Sequence, residues 1–389
     1  MIPVCGLPIC VRSRQELCNV STLGLPLVMV RIVVFNSKAF SMQHVRAPRR
    51  WCKRLGSLVL LAAALQAGVA QAKITSLSRL FVLGDSLSDS GNSGVLTGGS
   101  FTPPPYVQNR YSNGPVAVEQ LWQLFNPGDV TFKPSLSGGT NFAVGGSTSG
   151  QENDVGLYSP IFVDLGMASQ LTAYAAASPA FDPSTSLFYV SAFPNDVFYF
   201  LNSGMSAGTY TGANGTPTTL DDVPVLAAAN IRGTVETLIA AGAKHLLVAN
   251  SPDLSKVPFF LGTPGAPDIA RISQDYNTLL ATAMAAVASA NPQVDIVLYP
   301  LDQTINAFIA NPASFGFDNV TQACFNNVSV CSDPSRYLFW DAVHPTTRAH
   351  GLIAQGYYNS VPGPLPVFGA LSALGWSRRL RQRLGATHS

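Results

Sequence analysis

Short apolar segments alternate with longer segments of helical periodicity along most of this chain. Four segments have the length and composition of buried strands: "RLFVLG" from residue 79, "SLFYVSA" from 186, "KHLLVAN" from 244 and "VDIVLYP" from 294. Between them, residues 223–243 and 268–290 have the apolar spacing of helices, with candidate starts at Asp221, Asp222 and Asp268. Strands that alternate with helices pair in parallel, so the pattern predicts an α/β fold whose mainly parallel sheet is covered by helices on both faces.

The first predicted strand ends in a polar segment, "GDSLSDSGNS", that begins at Gly84. Parallel sheets bind ligands at the carboxyl ends of their strands, and Ser86 lies at such an end. Residues 94–115 and 202–222 are rich in Gly, Thr, Pro and Asn, which predicts long loops over the sheet edge, with flexible or disordered segments as the alternative. Ser86 is therefore a candidate nucleophile.

A serine hydroxyl needs a base to remove its proton, and histidine is the usual one. Residues 73–361 contain three histidines. His245 begins a predicted strand and His350 lies in a helical segment, so we expect structural roles for both. His344 stands in "LFWDAVHPT", three residues after Asp341. A carboxylate at that distance in a turn can hold one ring nitrogen and leave the other as a base.

Two further segments contain candidate donors for an oxyanion hole, the set of N–H groups that stabilises negative charge during acyl transfer. The segment "GGTNFAVGGSTSG", residues 138–150, has small residues that let a backbone N–H approach a substrate. In "SAFPNDVFYF", Asn195 follows a predicted strand, and its amide donates without a charge that would neutralise the base. Taken singly, a tight turn and a helix cap are the simpler interpretations of these segments.

These segments together resemble the GDSL, or SGNH, hydrolase family. The "GDSL" of residues 84–87 matches the first block, "TNFAVGG" the second, Asn195 the third and "FWDAVHPT" the last. The continuation through Asp89 and Asn92, with "RYSNGPV" at 110–116, is similar to the subgroup of secreted lipases and phospholipid acyltransferases. The resemblance spans residues 79 to 360 and implies a flavodoxin-like three-layer α/β/α sandwich.

The resemblance also implies ester hydrolysis through an acyl-serine intermediate. Ser86 would attack, His344 would transfer the proton and Asp341 would orient the imidazole. No metal or cofactor is implied, and the scattered histidines lack the spacing of metal ligands.

The implied oxyanion donors are the N–H groups of Ser86 and Gly146, with Gly145 as the near alternative, and the amide of Asn195. One position departs from the family pattern: Phe193 stands where the third block has Gly, and Pro194 follows it. Phe lacks the backbone freedom of Gly, so we expect this departure to affect the position of the Asn195 amide in the oxyanion hole more than the positions of the triad residues.

Charge is unevenly distributed along the 389 residues. Residues 73–361 contain 10 Lys and Arg against 20 Asp and Glu, whereas both ends of the chain are basic. Nucleic acid requires a basic surface, so the acidic central part argues against a nucleic-acid partner.

Residues 42–72 have the three parts of a secretory signal peptide: five positive residues, an apolar run over about 55–69, and Ala70-Gln71-Ala72. The alternative, a membrane anchor, is disfavoured because the run is shorter than the ~20 residues of a spanning helix. We expect cleavage after Ala72 and interpret residues 1–41 as an upstream extension, with Met42 as the true start.

Two cysteines, Cys324 and Cys331, remain in the part expected after cleavage. Close spacing in an exported, loop-rich segment favours a disulfide between them, and two free buried thiols are the alternative.

Residues 362–389 form a tail that begins within "VPGP" at 361–364 and continues with an apolar stretch over 365–376 and four arginines. The tail resembles PEP-CTERM sorting signals, although those usually have Val-Pro-Glu-Pro. It predicts partners in the export and sorting machinery and a bacterial cell-surface or secreted location. The alternative is an interfacial tail that contacts anionic lipid.

The leading hypothesis is thus an exported serine esterase or lipase, hydrolysing a small-molecule or lipid ester in a domain of residues 73–361. The alternative enzyme is a carbohydrate deacetylase that acts on surface polysaccharide with the same triad. The alternative from another class is a catalytically silent surface or adhesion protein on the same fold.

Overall fold

A computed structural model describes residues 76–203, 217 and 219–361 of this chain. These residues lie within the predicted hydrolase domain of 73–361. The upstream extension, the signal peptide and the C-terminal tail expected from the sequence lie outside the described residues.

A parallel sheet forms the centre of the fold, as the alternation of strands and helices predicted. It contains four strands in the order β1-β2-β3-β4, and every neighbouring pair is parallel. The strands span Arg79–Gly84, Ser186–Ser191, His245–Ala249 and Asp295–Tyr299. All residues of β2 and β3 are buried, and a strand covered on both faces gives the continuous apolar run seen in the sequence.

Residues 140–144 run beside β1 on the edge opposite to β2. The N–H of Val82 donates to the carbonyl of Thr140 (3.2 Å), and the N–H of Phe142 donates to the carbonyl of Val82 (2.8 Å). The chain therefore leaves β1 toward one side of the sheet and returns to the other side as β2. This order is that of flavodoxin-like folds, and it makes the carboxyl end of β1 the topological switch point, where such sheets bind ligands.

Helices flank the sheet and complete the three-layer α/β/α arrangement implied by the resemblance. Helix α5 (Asp222–Ala240) packs on α6 (Ala266–Ala290), and α2 (Ala117–Phe125) packs on α9 (Thr347–Ser360). In chain order, helices α1 to α9 of the described residues span Asn92–Thr97, Ala117–Phe125, Met167–Ala177, Pro194–Asn202, Asp222–Ala240, Ala266–Ala290, Leu301–Ala310, Pro312–Phe315 and Thr347–Ser360.

The two helices expected from periodicity differ from the observed ones at their ends. Helix α5 stops at Ala240, three residues before the predicted end, because Gly242 adopts the left-handed conformation (φ 103°) and turns the chain out of the helix. Helix α6 begins two residues early because Pro267 lies in its first turn, where the missing N–H costs nothing.

A second, two-stranded parallel sheet was not expected from the sequence. Strands β5 and β6 span Asn319–Ala323 and Tyr337–Phe339. A disulfide joins Cys324 to Cys331 in the connection between them. Strand β6 leads directly into the turn that contains Asp341 and His344.

Of the two predicted long loops, the first begins later than expected because α1 continues to Thr97. Most of the second, residues 204–216 and 218, lies outside the described residues. In the part of the chain that the structure describes, no helix is both long and apolar enough to cross a bilayer.

Candidate active site

Ser86 lies in the turn that follows β1, at the topological switch point of the sheet. It is buried but lines a cavity of about 330 Å³. The preceding residue, Asp85, accepts the N–H of Leu87 (2.9 Å) and fixes this turn. The Ser86 side chain therefore borders this cavity at the carboxyl end of β1.

The structure brings together the three residues predicted to form a triad. Nε2 of His344 lies 2.8 Å from Oγ of Ser86, although the two residues are 258 positions apart in the chain. On the other side of the ring, Nδ1 lies 2.8 Å from Oδ2 of Asp341. The Asp341 Oδ1 atom accepts the N–H groups of Val343 (2.8 Å) and His344 (2.7 Å), so the turn itself holds the carboxylate.

The charges in the turn of residues 341–344 set the pKa values of Asp341 and His344 as a general base requires. Burial alone would lower the pKa of His344, but the Asp341 carboxylate outweighs it and the net pKa lies above 6.5. Burial would raise the pKa of Asp341, but His344 and the two backbone N–H groups lower it below its usual value. Asp341 therefore stays ionised while His344 titrates. Burial also raises the pKa of the neighbouring Asp85 to about 7.

Gly146 and Asn195 line the same cavity as Ser86. Gly146 requires glycine, because its φ is 78° and a Cβ there would approach Oδ1 of Asn153 to 2.4 Å. The N–H of Gly145 is occupied, since it donates to Asp89 (3.1 Å) and Ser93 (3.0 Å). Of the two glycines considered from the sequence, Gly146 is thus the better candidate donor.

The fold accommodates the Phe193-Pro194 departure. Phe193 has φ −175°, outside the left-handed region that favours glycine, and its buried ring stacks on Tyr276 with centroids 4.0 Å apart. Pro194 occupies the first turn of α4, where proline is favoured. Asn195 follows, and its amide donates to the carbonyl of Ser147 (3.2 Å) at the cavity wall.

Polar side chains after β1 tie the Ser86 turn to the glycine segment. Asp89 accepts the N–H groups of Gly91 and Asn92 (2.7 and 2.6 Å) as well as that of Gly145. The Asn92 amide donates to the carbonyls of Asn141 (2.7 Å) and Ala143 (2.9 Å). These buried bonds explain why a polar run follows an apolar strand: they hold residues 84–93 against residues 141–145.

The remaining histidines lie apart from the triad contacts. His245 pairs with Asp295 across β3 and β4 at 3.1 Å. His350 lines the cavity, but its Nδ1 accepts the N–H of Ala117 (3.2 Å) and burial lowers its pKa to about 3. His350 is therefore neutral at physiological pH and holds α2 against α9.

The cavity beside Ser86 is mostly apolar. Its volume is at the small end of the ~300–1,000 Å³ typical of ligand sites. Side chains from α4, α7, α9 and the segment after β3 form its apolar wall, namely Phe198, Leu254, Val257, Phe259, Leu301, Ile305 and Ile353.

Sequence reasoning missed three residues at the site. The Gln170 amide accepts the N–H of Gly84 (2.8 Å) and donates to its carbonyl (2.7 Å), which fixes the end of β1. The Tyr106 hydroxyl donates to Oδ2 of Asp341 (2.8 Å), and the Tyr111 ring lies 5.2 Å from the His344 ring. Of the three, only Tyr111 lies in a motif that the sequence offers, "RYSNGPV" at 110–116. The described residues contain no cluster of three His, Cys, Asp or Glu that could hold a metal.

This chain is similar in sequence to several known proteins. A GDSL esterase/lipase of Arabidopsis thaliana is 23% identical over 324 residues, which cover 71% of this chain and 84% of that protein. The phosphatidylcholine-sterol acyltransferase of Aeromonas hydrophila is 24% identical over 328 residues, covering 72% and 89%. Esterase EstA of Pseudomonas aeruginosa is 28% identical over 365 residues, covering 80% of this chain and 51% of EstA.

Among solved structures, a GDSL-like lipase from Bacteroides thetaiotaomicron has a TM-score of 0.33 at 14% identity, covering 78% of this chain and 96% of its own. The family model described as GDSL-like lipase/acylhydrolase matches residues 80–356, which include the whole of the candidate site. The chain therefore belongs to the GDSL-like lipase/acylhydrolase family.

Proposed function

We propose that this protein is a serine ester hydrolase that cleaves carboxylic esters through an acyl-serine intermediate. The observation that supports it most is the continuous line of hydrogen bonds from Ser86 through His344 to Asp341, with both contacts of the imidazole at 2.8 Å. This line ends in a cavity large enough for a small ligand.

In the first half of the proposed reaction, Oγ of Ser86 attacks the ester carbonyl carbon while Nε2 of His344 takes the hydroxyl proton. The carbonyl oxygen becomes an oxyanion beside the N–H groups of Ser86 and Gly146 and the amide of Asn195. The carbon–oxygen bond to the alcohol then breaks, and His344 gives the alcohol its proton. In the second half, the oxygen of a water attacks the acyl carbon while His344 takes a water proton. The bond between the acyl carbon and Oγ of Ser86 then breaks, His344 returns the proton to Oγ, and the acid leaves.

For the substrate, we propose an ester with an apolar acyl group. The cavity wall formed by α4, α7 and α9 favours a hydrocarbon chain, because burying apolar surface is worth roughly 25 cal/mol per Å². A carbohydrate deacetylase would bind its acetyl group in the same space but would leave most of this wall unused.

The test is hydrolysis of nitrophenyl esters graded from acetyl to lauroyl by the wild-type protein and by Ser86→Ala. We expect Ser86→Ala to abolish turnover and to remain folded, because a small side chain in a turn contributes little packing energy. Ser137→Ala, at an exposed serine, is the matched control and keeps full activity.

Each outcome of this series distinguishes one hypothesis. A rate that increases beyond acetyl supports an esterase or lipase. A rate confined to acetyl, with release of acetate from acetylated polysaccharide, supports the deacetylase. Wild-type turnover in Ser86→Ala contradicts the mechanism, and absence of hydrolysis in the wild type supports the silent surface protein.

We also propose that the protein is exported to the bacterial cell envelope, where its C-terminal tail meets the sorting machinery or the membrane. The support is the signal-peptide pattern of residues 42–72, together with the basic, partly apolar tail of residues 362–389.

A further inference from the structure

The segment of residues 106–115, which includes most of "RYSNGPV", runs beside the turn of residues 341–347. The Ser112 hydroxyl donates to the carbonyl of Pro345 (2.8 Å). The N–H of Thr347 donates to the side-chain oxygen of Asn113 (2.8 Å), and the Thr347 hydroxyl donates to the carbonyl of Pro115 (2.9 Å). Contacts at one end of the segment thus hold the backbone just after His344.

The other end of the segment reaches the acid of the triad itself. Within the turn, the N–H groups of Val343 and His344 bind Oδ1 of Asp341. Oδ2 receives Nδ1 of His344 and the hydroxyl of Tyr106, each at 2.8 Å. Tyr106 therefore supplies this carboxylate with a donor from a part of the chain 235 residues away.

The ring of Tyr106 is held by aromatic neighbours. Its edge-to-face contacts join it to Phe325 (centroids 5.7 Å apart) and to Trp340 (6.2 Å), the residue before Asp341. These contacts limit the positions open to the hydroxyl. Tyr106 lies outside the lining of the cavity, whereas Tyr111 belongs to it.

We propose that Tyr106 is a positioning residue that orients the Asp341 carboxylate and shares its charge with His344. This inference rests on the proposed function, because it assigns Tyr106 a part in the same hydrolysis. The hydroxyl holds Oδ2 at the position where it contacts Nδ1 of His344. It also takes up part of the carboxylate charge that would otherwise act on the imidazolium alone.

The test is Tyr106→Phe, which removes one oxygen and keeps the ring contacts. We expect kcat to fall about five- to tenfold, because Oδ2 of Asp341 stays beside Nδ1 of His344 but loses the Tyr106 donor that fixes its orientation. KM stays unchanged because the residue does not line the cavity. The acid limb of the pH profile moves to higher pH, because the backbone bonds keep Asp341 in place and its charge then acts more strongly on His344.

Other charged or titratable groups also face His344, namely Asp85 after β1, His350 on α9 and the Tyr111 ring. Tyr106→Phe changes none of them, so the shift reports the Tyr106 contact. The matched control is Tyr158→Phe, which removes the same oxygen from an exposed side chain and keeps wild-type kcat, KM and pH profile.

A second measurement is independent of turnover. The His344 imidazole is titrated by NMR in Ser86→Ala with and without Tyr106→Phe, and a higher pKa without the hydroxyl supports the proposal. An unmoved or lowered pKa, wild-type kcat in Tyr106→Phe, or a change in KM alone would overturn it. Failure of the proposed function is recognised separately, as turnover that persists in Ser86→Ala, and leaves the titration valid.

Discussion

The chemistry at the residue scale depends on which groups are charged inside the protein. His344 is buried, yet its pKa is raised because an ionised Asp341 contacts it. His350 is buried without such a partner, and its pKa falls to about 3. Two histidines six positions apart thus differ in charge at mildly acidic pH because only one of them has a carboxylate at its ring.

We expect activity to increase with pH as His344 loses its proton above 6.5, because His344 must be neutral to accept the Ser86 proton. Asp341→Asn removes the main group that raises this pKa and leaves burial, which lowers it, and Asp85, which raises it less. The acid limb should therefore move to lower pH while kcat falls by roughly 10⁴-fold, as for other triads. The measurement is kcat/KM against pH.

His344→Gln serves as the companion variant and should have almost no activity at any pH, because an amide cannot accept the proton. An acid limb of the pH profile that does not move in Asp341→Asn, or substantial turnover in His344→Gln, would show that the turn of residues 341–344 does not supply the base.

At the scale of elements, the catalytic turn is a short connection whose position depends on its neighbours. Strand β6 precedes it, and the disulfide-closed loop of residues 324–331 packs beside it. Within that loop, Phe325 stacks on Trp340 with centroids 5.7 Å apart and donates its N–H to the Trp340 carbonyl (2.6 Å). The loop therefore supports the residue next to Asp341.

Replacing both Cys324 and Cys331 with Ala should lower the free energy of unfolding by about 2–3 kcal/mol, because the unfolded chain gains the freedom of an open loop. Urea unfolding measures this change, and kcat should also fall because the loop holds Trp340. Mass mapping of non-reduced wild-type peptides should find the two cysteines linked. Two freely alkylated thiols in the native protein, or variants of unchanged stability, would contradict the prediction.

At the scale of the whole molecule, the sheet order determines where distant segments meet. The chain crosses from one side of β1 to the other, so the end of β1 faces a crevice that segments after β2, β3 and β6 can enter. Asn195, the apolar wall and His344 reach Ser86 by this route.

The export proposal predicts the N-terminus of the mature protein. When the full-length gene product is made in an exporting bacterial host, the recovered protein should begin at Lys73, because the small residues before it suit signal peptidase. Mass spectrometry of the N-terminal peptide checks this. A recovered protein that still contains residues 42–72 would favour a membrane anchor instead.

The sequence by itself determined the features whose physical causes are local. The spacing of apolar residues and the length of each apolar run identify the strands and helices. A polar turn after a buried strand identifies Ser86, and a spacing of three residues identifies Asp341 and His344. Only the tertiary structure decided the roles of Tyr106 and Gln170 and the accommodation of Phe193. These depend on contacts between residues about 80 to 235 positions apart, for which a single sequence contains no spacing signal. A hydrogen bond across such distances exists only once the sheet order has brought its two ends together.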